Sequence, residues 1–210
     1  KGGRRMAARL ILNIAVSLDG YLADKAGGYA WITGHGDAGQ NTRAQFCFET
    51  FLAGCGTVVM GRNAYDDCGI EHIDGWQEKH FLVASHRPRP ADAPPNVEFF
   101  CGGLAEKVAE QKRRAQGGIW LFGGGQVASA LLRAGLVDEA VIGVLPIILG
   151  AGRRLFVGEM PTRLLHLQEC TVTDGIAMLH YTNRGRSKTR PLFVSNKNAA
   201  WAACSHSSAF

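Results

Sequence analysis

The sequence predicts an α/β fold whose central sheet is mostly parallel and closes on an antiparallel hairpin. Three observations carry this reading. Short β-rich runs alternate with stretches of helical period, the order that builds a parallel sheet with helices on its faces. The runs "LILNIAVS" and "TVVMG" are apolar nearly throughout, as strands buried on both faces are. Near the end, "LLHLQECTVTDGIAMLHYTN" (residues 164–183) reads as two strands with "TDG" at their turn.

Taken in order, "LILNIAVS" (10–17) is a buried strand that "LDG" ends in a turn, where Asp19 bonds locally. Residues 21–39 are Gly-rich and aperiodic, a long loop of the kind that carries function. Residues 41–53 read as a helix capped by Asn41 or Thr42, with Phe48, Phe51, Leu52 and Cys55 on one face. Strands follow at 57–61, 80–85, 97–100 and 119–122, and an amphipathic helix at 104–115 turns Leu104, Val108 and Ala115 inward. After the glycines at 123–125, Val127, Ala130, Leu131 and Ala134 mark one helix face, and Gly135 supplies a left-handed stop. "DEAVIGVLPIIL" is a strand closed by Pro146. Residues 6–184 form one domain, with Met6 as the expected start. From residue 185 the chain is basic, Ser/Ala-rich and aperiodic, and reads as a mobile tail in which Leu192, Phe193 and Trp201 are candidate docking residues.

The bulk numbers narrow the function classes. With 210 residues, 46% apolar and 20% charged, the chain has the size and composition of a globular protein with a substantial core. No apolar run approaches the roughly 20 residues of a membrane span. Lys1, Arg4, Arg5 and Arg9 before an apolar run faintly resemble a secretory leader, but Asn13 interrupts the run and no A-x-A cleavage pattern follows. The net charge is +5, yet residues 1–9 carry four basic groups, residues 184–210 carry five, and neither end has an acid. The ends thus contribute +9 and residues 10–183 sum to −4, which disfavours a nucleic-acid-binding body. Six scattered cysteines (47, 55, 68, 101, 170 and 204) form no C-x-x-C and imply neither a disulfide framework nor a metal site, so a reducing, cytoplasmic setting is expected.

Three strand ends are candidate ligand contacts. "LFGGGQVASALL" runs from strand through glycines into helix, which presents bare backbone N–H groups and a positive dipole end to an anion. A tight strand-to-helix turn without ligand is the equal alternative for this motif alone. It matches neither the P-loop nor G-x-G-x-x-G. "VVMGRNAY" repeats the strand–glycine–helix order and adds Arg62, while "LVASHRPRP" brings Ser85, His86 and Arg87 to a third strand end. Basic and hydroxyl groups there suit a ribose 2′-phosphate, so the set favours NADPH over NADH.

The pieces "NIAVSLDGYLA", "WITG", "VVMGRNAY", "LVAS", "WLFGGGQVASALLRAGLVDE" and "PIILGAGRRLF", in that order, resemble the dihydrofolate reductase-like superfamily. Within it the chain is most similar to the reductase domain of bacterial riboflavin-biosynthesis deaminase-reductases and their stand-alone relatives. The resemblance spans roughly residues 10–157. It implies a three-layer fold, a sheet of about eight strands and NADPH-dependent hydride transfer. By the same resemblance Ala15 and Val16 lie beside the nicotinamide. Gly61, Arg62 and Asn63 hold phosphates, and Ser85, His86 and Arg87 flank the adenosine end. Gly123, Gly124, Gly125, Gln126 and Val127 cover the pyrophosphate, and a cis peptide joins Gly123 to Gly124. Two departures stand out: Asn63-Ala64 replaces the x-Thr after "GR", and "GRNAYDD" lacks the Thr and Asp-x-Pro with which the riboflavin branch holds its sugar phosphate.

Hydride transfer needs no protein nucleophile, only a held nicotinamide, excluded water and a proton source. Asp37 is the candidate acid, with a helix-start carboxylate as the alternative reading. Trp31 is a candidate for the substrate pocket or for simple packing. Glu49 reads as solvated, and His35 is a group that could act near neutral pH, with an unremarkable loop histidine as the alternative reading. The expected protein is a cytoplasmic, homodimeric NADPH-dependent reductase of a small pterin-like or ribosylaminopyrimidine-like molecule, without metal, membrane or nucleic-acid partner. A non-catalytic NADP-binding sensor is the alternative.

Overall fold

The computed structural model describes residues 7–69 and 75–183, together with the backbone of residues 193–194. The strands are β1 (Leu10–Ser17), β2 (Tyr21–Ala23), β3 (Gln45–Phe46), β4 (Cys55–Gly61), β5 (His80–Ala84), β6 (Val97–Phe100), β7 (Gly118–Gly123), β8 (Glu139–Leu145), β9 (Arg153–Arg154), β10 (His166–Thr173), β11 (Ile176–Thr182) and β12 (Phe193–Val194). The α-helices are α1 (Phe48–Ala53), α2 (Arg62–Cys68), α3 (Leu104–Arg114) and α4 (Gly125–Arg133).

One eight-stranded sheet has the order β10-β11-β8-β1-β7-β4-β5-β6. From β8 to β6 every neighbouring pair is parallel; β11 runs antiparallel to β8, and β10 antiparallel to β11. The hairpin turn falls at Asp174–Gly175, as "TDG" predicts, with Asp174 at φ 49° and Gly175 at φ 82°. Alternate strand residues feed two core layers. Ile11, Val58, Met60, Phe81 and Trp120 pack with Phe51 and Leu52 of α1 on one face. Leu10, Leu12, Val59, Leu82 and Leu121 pack with Val108 of α3 and with Ala128 and Leu131 of α4 on the other. Each fully buried Leu or Phe of this kind contributes about 1.5–3 kcal/mol. The architecture is the three-layer α/β fold expected from the sequence.

Helix α4 ends as its glycine predicts. Gly135 takes φ 71°, its N–H donates to Leu132 O at 3.0 Å, and the Leu136 N–H reaches back to Leu131 O at 3.1 Å. This pair of hydrogen bonds is the Schellman stop.

The expected helix over 41–53 is shorter. Helix α1 starts at Phe48 behind Cys47, and Gln45–Phe46 is a strand. Asn41 and Thr42 cap the β10–β11 hairpin instead of a helix: Asn41 Oδ1 accepts from the Asp174 N–H at 2.6 Å, and Thr42 Oγ1 accepts from the Val172 N–H at 3.0 Å. With those side chains committed, Phe46 is free to bury, 2% exposed, its ring 5.9 Å from Phe51. Cys55 opens β4 rather than closing the helix face, and burial pushes its thiol up to about 12. The long loop after β1 also contains order. Strand β2 pairs with β9, and a short 3-10 turn covers Ala38–Gln40.

In the tail region, β12 pairs antiparallel with β3, Phe193 opposite Phe46 and Val194 opposite Gln45. The other residues of the tail, with Leu192 and Trp201, and Met6 at the expected start lie outside the described residues. Among the described residues no helix is long and apolar enough to cross a membrane.

Candidate functional site

Parallel strands put their C-terminal ends on one edge, and ligands of open α/β sheets bind at that edge. Here Ser17, Gly61, Ala84, Gly123 and Leu145 end their strands along it, with Met60 in register with Gly123 and Gly61 with Ala84. Helices α2 and α4 start at neighbouring points of this rim, close enough that a Cβ on Gly61 would lie 3.1 Å from Val127 Cγ2. Ala15 and Val16 approach the rim inside β1, but their side chains are buried, Ala15 in the α1 layer and Val16 in the α4 layer.

The three consecutive glycines answer three different demands. Gly123 has φ 129° and is joined to Gly124 by a cis peptide bond, where the family resemblance placed it. Gly124 would meet nothing within 4 Å if it carried a Cβ, so its open side faces free space. Gly125 is hemmed in: a Cβ there would lie 2.1 Å from Arg154 O and 3.1 Å from Leu155 O. The chain after β8 thus crosses over the start of α4, a constraint no local pattern announces. No side chain caps α4 at Gly124. Its first-turn N–H groups, from Gly125, exposed Gln126 and Val127, are of the kind that intrahelical bonding leaves without partners. Among the described residues the rim therefore carries a bare helix N-terminus whose dipole and donors favour an anion.

Beside it stands a cluster of cations. Arg62, the first residue of α2, donates Nε to Asp66 Oδ1 at 2.7 Å and Nη1 to Pro88 O at 2.8 Å, and its guanidinium carbon lies 5.4 Å from the Phe99 ring centroid. Arg87 donates to Asn63 Oδ1 at 3.0 Å and pairs with Asp66 Oδ2 at 2.8 Å. Ser85 is committed to the turn that presents Arg87: its hydroxyl donates to Arg87 O at 2.8 Å and accepts from the Arg87 N–H at 3.0 Å. His86 is exposed, with Nδ1 3.4 Å from Cys101 Sγ. The expected adenosine-end residues and phosphate residues thus meet as one group.

The loop after β2 closes the neighbouring side. Tyr29 Oη donates to Asp67 O at 2.8 Å, and Arg153 pairs with the Asp67 carboxylate at 2.6 Å, so loop, β9 and α2 are tied together. Arg154 lies over the Tyr21 ring at 4.6 Å and donates to its hydroxyl at 2.8 Å. Asp19 does more than form its own turn. Ser17 Oγ donates to it at 2.6 Å, and the N–H groups of Leu149 and Gly150 reach it at 3.2 and 2.8 Å. The Ser17 hydrogen bond foremost, with these backbone donors, holds its carboxyl below the usual value. Arg153, Arg154 and Asp67 escape sequence reasoning because their partners lie on other elements, and so does the Asp66 contact with Arg87, although Arg62 and Asp66 stand at i,i+4 on α2; only the "GAGRRLF" run hinted at the first two.

Trp31 and Ile32 pack half-buried against the α1-side layer, as do Phe48, Phe122 and Ile147, and together they give the rim an apolar margin. Trp31 Nε1 donates to Gly28 O at 3.2 Å. Asp37 is exposed at the start of the 3-10 turn and lies against the β10–β11 turn, where a Cβ on Gly175 would meet its Oδ2 at 2.9 Å. Strands β8 and β1 stand between β11 and the Gly123 end of β7, so Asp37 sits on the flank of the rim, apart from the glycines. Glu49 is exposed, with Cys47 Sγ donating to Oε2 at 3.3 Å, and the exposed His35 gives its N–H to Asp174 O at 3.1 Å.

A mostly parallel sheet with this order, an antiparallel hairpin and a glycine-opened helix define a dihydrofolate reductase-like α/β protein. Residues 8–178 match the RibD C-terminal domain family, and the chain belongs to it. The chain is 28% identical over 180 residues to the uncharacterized protein YwjB of Bacillus subtilis, an alignment covering 84% of this chain and 98% of that protein. A solved structure from Shewanella sp. PV-4, provisionally described as a riboflavin biosynthesis protein, superposes with a TM-score of 0.69 at 27% identity, over 83% of this chain and 98% of that one. Dihydrofolate reductase from Enterococcus faecalis, solved with NADP(H), shares the fold at a TM-score of 0.58 and 15% identity, over 83% of this chain and 95% of that one.

Proposed function

We propose that the chain is an NADPH-dependent reductase transferring hydride to a small heterocyclic or carbonyl substrate, pterin-like or ribosylaminopyrimidine-like. The observation that carries this reading is the bare start of α4. Gly124 leaves open space where any other residue would place a Cβ, at an uncapped helix N-terminus beside Arg62 and Arg87. That combination fits a dinucleotide pyrophosphate, and membership of a reductase-domain family supports it.

NADPH, when bound, supplies the hydride. The chain's own residues hold and orient. Backbone N–H groups of Gly125, Gln126 and Val127 would bind the pyrophosphate, with Gly124 keeping the approach clear while Gly61 and Gly123 make room for Val127 and Ile14. Arg62, Asn63 and Arg87 would grip the 2′-phosphate end, with the Ser85 turn fixing Arg87 and His86 flanking the adenosine. Ala15 and Val16 would bound the nicotinamide side by shape. Trp31, Phe48 and Phe122 form the apolar margin that keeps water from the reacting carbon. Asp37, on the flank of the rim, is the carboxyl available to deliver a proton to a substrate lying along the strand ends.

The test is NADPH oxidation with dihydrofolate and with a ribosylaminopyrimidine phosphate as acceptors. Turnover with either supports the reductase. Saturable NADPH binding without turnover favours a cofactor sensor, and no binding overturns the reading.

A further inference from the structure

Two arginines of the rim share one carboxylate. Arg62 Nε binds Asp66 Oδ1 at 2.7 Å, and Arg87 Nη2 lies 2.8 Å from Asp66 Oδ2, so each oxygen serves one guanidinium. Neither arginine depends on Asp66 for its place. Arg62 is also held by Pro88 O at 2.8 Å and by stacking on Phe99. Arg87 is also held by Asn63 Oδ1 at 3.0 Å. Asp66 itself lies on α2 with its side chain 32% exposed, free to turn toward water when displaced.

We infer that Asp66 is an internal stand-in for a phosphate, joining Arg62 and Arg87 until a phosphomonoester replaces it, and thereby setting how strongly the chain prefers a 2′-phosphorylated dinucleotide. The inference rests on the reductase reading and deepens it. A phosphomonoester brings close to two negative charges and three acceptor oxygens, so it outcompetes one carboxylate for two guanidinium groups. The displaced carboxylate still repels the phosphate at short range. Asp66 therefore weakens binding of the phosphorylated ligand while leaving the unphosphorylated one almost untouched. The neutral anchors decide the sign: with Asp66 uncharged, both arginines stay in place and face the ligand with a larger net positive charge.

The experiment is calorimetric titration of the wild-type protein and Asp66→Asn with NADPH, NADH, adenosine 2′,5′-bisphosphate and 5′-AMP. The variant is expected to bind NADPH and the bisphosphate about tenfold more tightly, equivalent to ~1.4 kcal/mol, a size in keeping with one close like-charge contact near a surface. NADH and AMP should change less than about twofold, ~0.4 kcal/mol. Asp66→Ala should move the same way, since charge and not amide chemistry is the cause. Unchanged or weaker binding of the 2′-phosphorylated ligands by both variants, with normal wild-type binding, would overturn the inference and leave the reductase reading standing. A wild-type protein that binds neither dinucleotide would overturn both.

Discussion

Where β1, β7 and β8 begin, charged groups are folded into closed sets; where they end, charged groups and backbone donors stand at the surface. At the first end Arg9 pairs with Glu139, which is 3% exposed and lies 3.2 Å from His180 Nε2, while Lys112 binds both Asp138 and Leu136 O. Burial works to raise the Glu139 carboxyl, but the His180 hydrogen bond and the Arg9 charge outweigh it and hold the group below its usual value. At the second end α4 has no side-chain cap, Gly124 borders open space, and Arg87 is 53% exposed. Both ends hold polar groups at strand termini. Charges are paired at both ends, so pairing alone does not separate them: a carboxylate buried with its partners, like Glu139, marks structure, whereas solvent-exposed pairs beside backbone donors left open mark a place for a ligand.

The largest effect is expected at the closed end. Glu139→Ala removes the counter-charge of Arg9 and the hydrogen-bond partner of His180, and should cost about 3 kcal/mol in urea unfolding, the lower end for loss of a buried charged partner, because Arg9 keeps access to water. Because the folded carboxyl titrates below its unfolded value, its contribution is complete above that unfolded value and is lost as pH falls through the folded one. The gap between wild type and Glu139→Gln should therefore narrow as the pH falls below the ordinary carboxylate range. NADPH affinity of the folded variants should not change; a parallel loss of affinity would mean the two ends are coupled.

At the open end the expected order of effects reverses. Arg87→Ala should leave unfolding nearly unaltered and weaken NADPH by about 1.5–3 kcal/mol, as for a lost charge-assisted contact, with NADH hardly affected. Equal loss for both nucleotides in a binding titration would remove Arg87 from the 2′-phosphate.

The smallest effects fall inside the glycine run itself. Gly125→Ala drives a methyl against Arg154 O and should cost about 1–3 kcal/mol of stability through overpacking. Gly124→Ala meets open space at φ −61° and should stay within about 0.5 kcal/mol of wild type in the same melts.

The sheet was legible because its strands are buried on both faces: Val58, Val59 and Met60 are all fully buried, so no alternation obscures the run. That glycines and arginines gather at neighbouring strand ends was legible in the composition of those segments, the ground for expecting an anion there. The helix expected over 41–53 failed for a long-range reason. Asn41 and Thr42 are good caps, but the hairpin more than 125 residues downstream claims them. Gly125 likewise looked like a ligand residue, whereas the crossing of Arg154 suffices to require it. The Arg153–Asp67 and Arg87–Asp66 pairs were invisible for the same cause: each joins elements whose meeting depends on topology and not on spacing along the chain.

The most direct measurement is NADPH titrated into the wild-type protein and Gly124→Ala, with a thermal melt of each. The expected result is saturable wild-type binding, near-identical melts, and a loss of affinity of about tenfold or more in the variant (~1.4 kcal/mol), because a methyl group then stands where the pyrophosphate approaches the backbone. Equal affinity for the two proteins would contradict it.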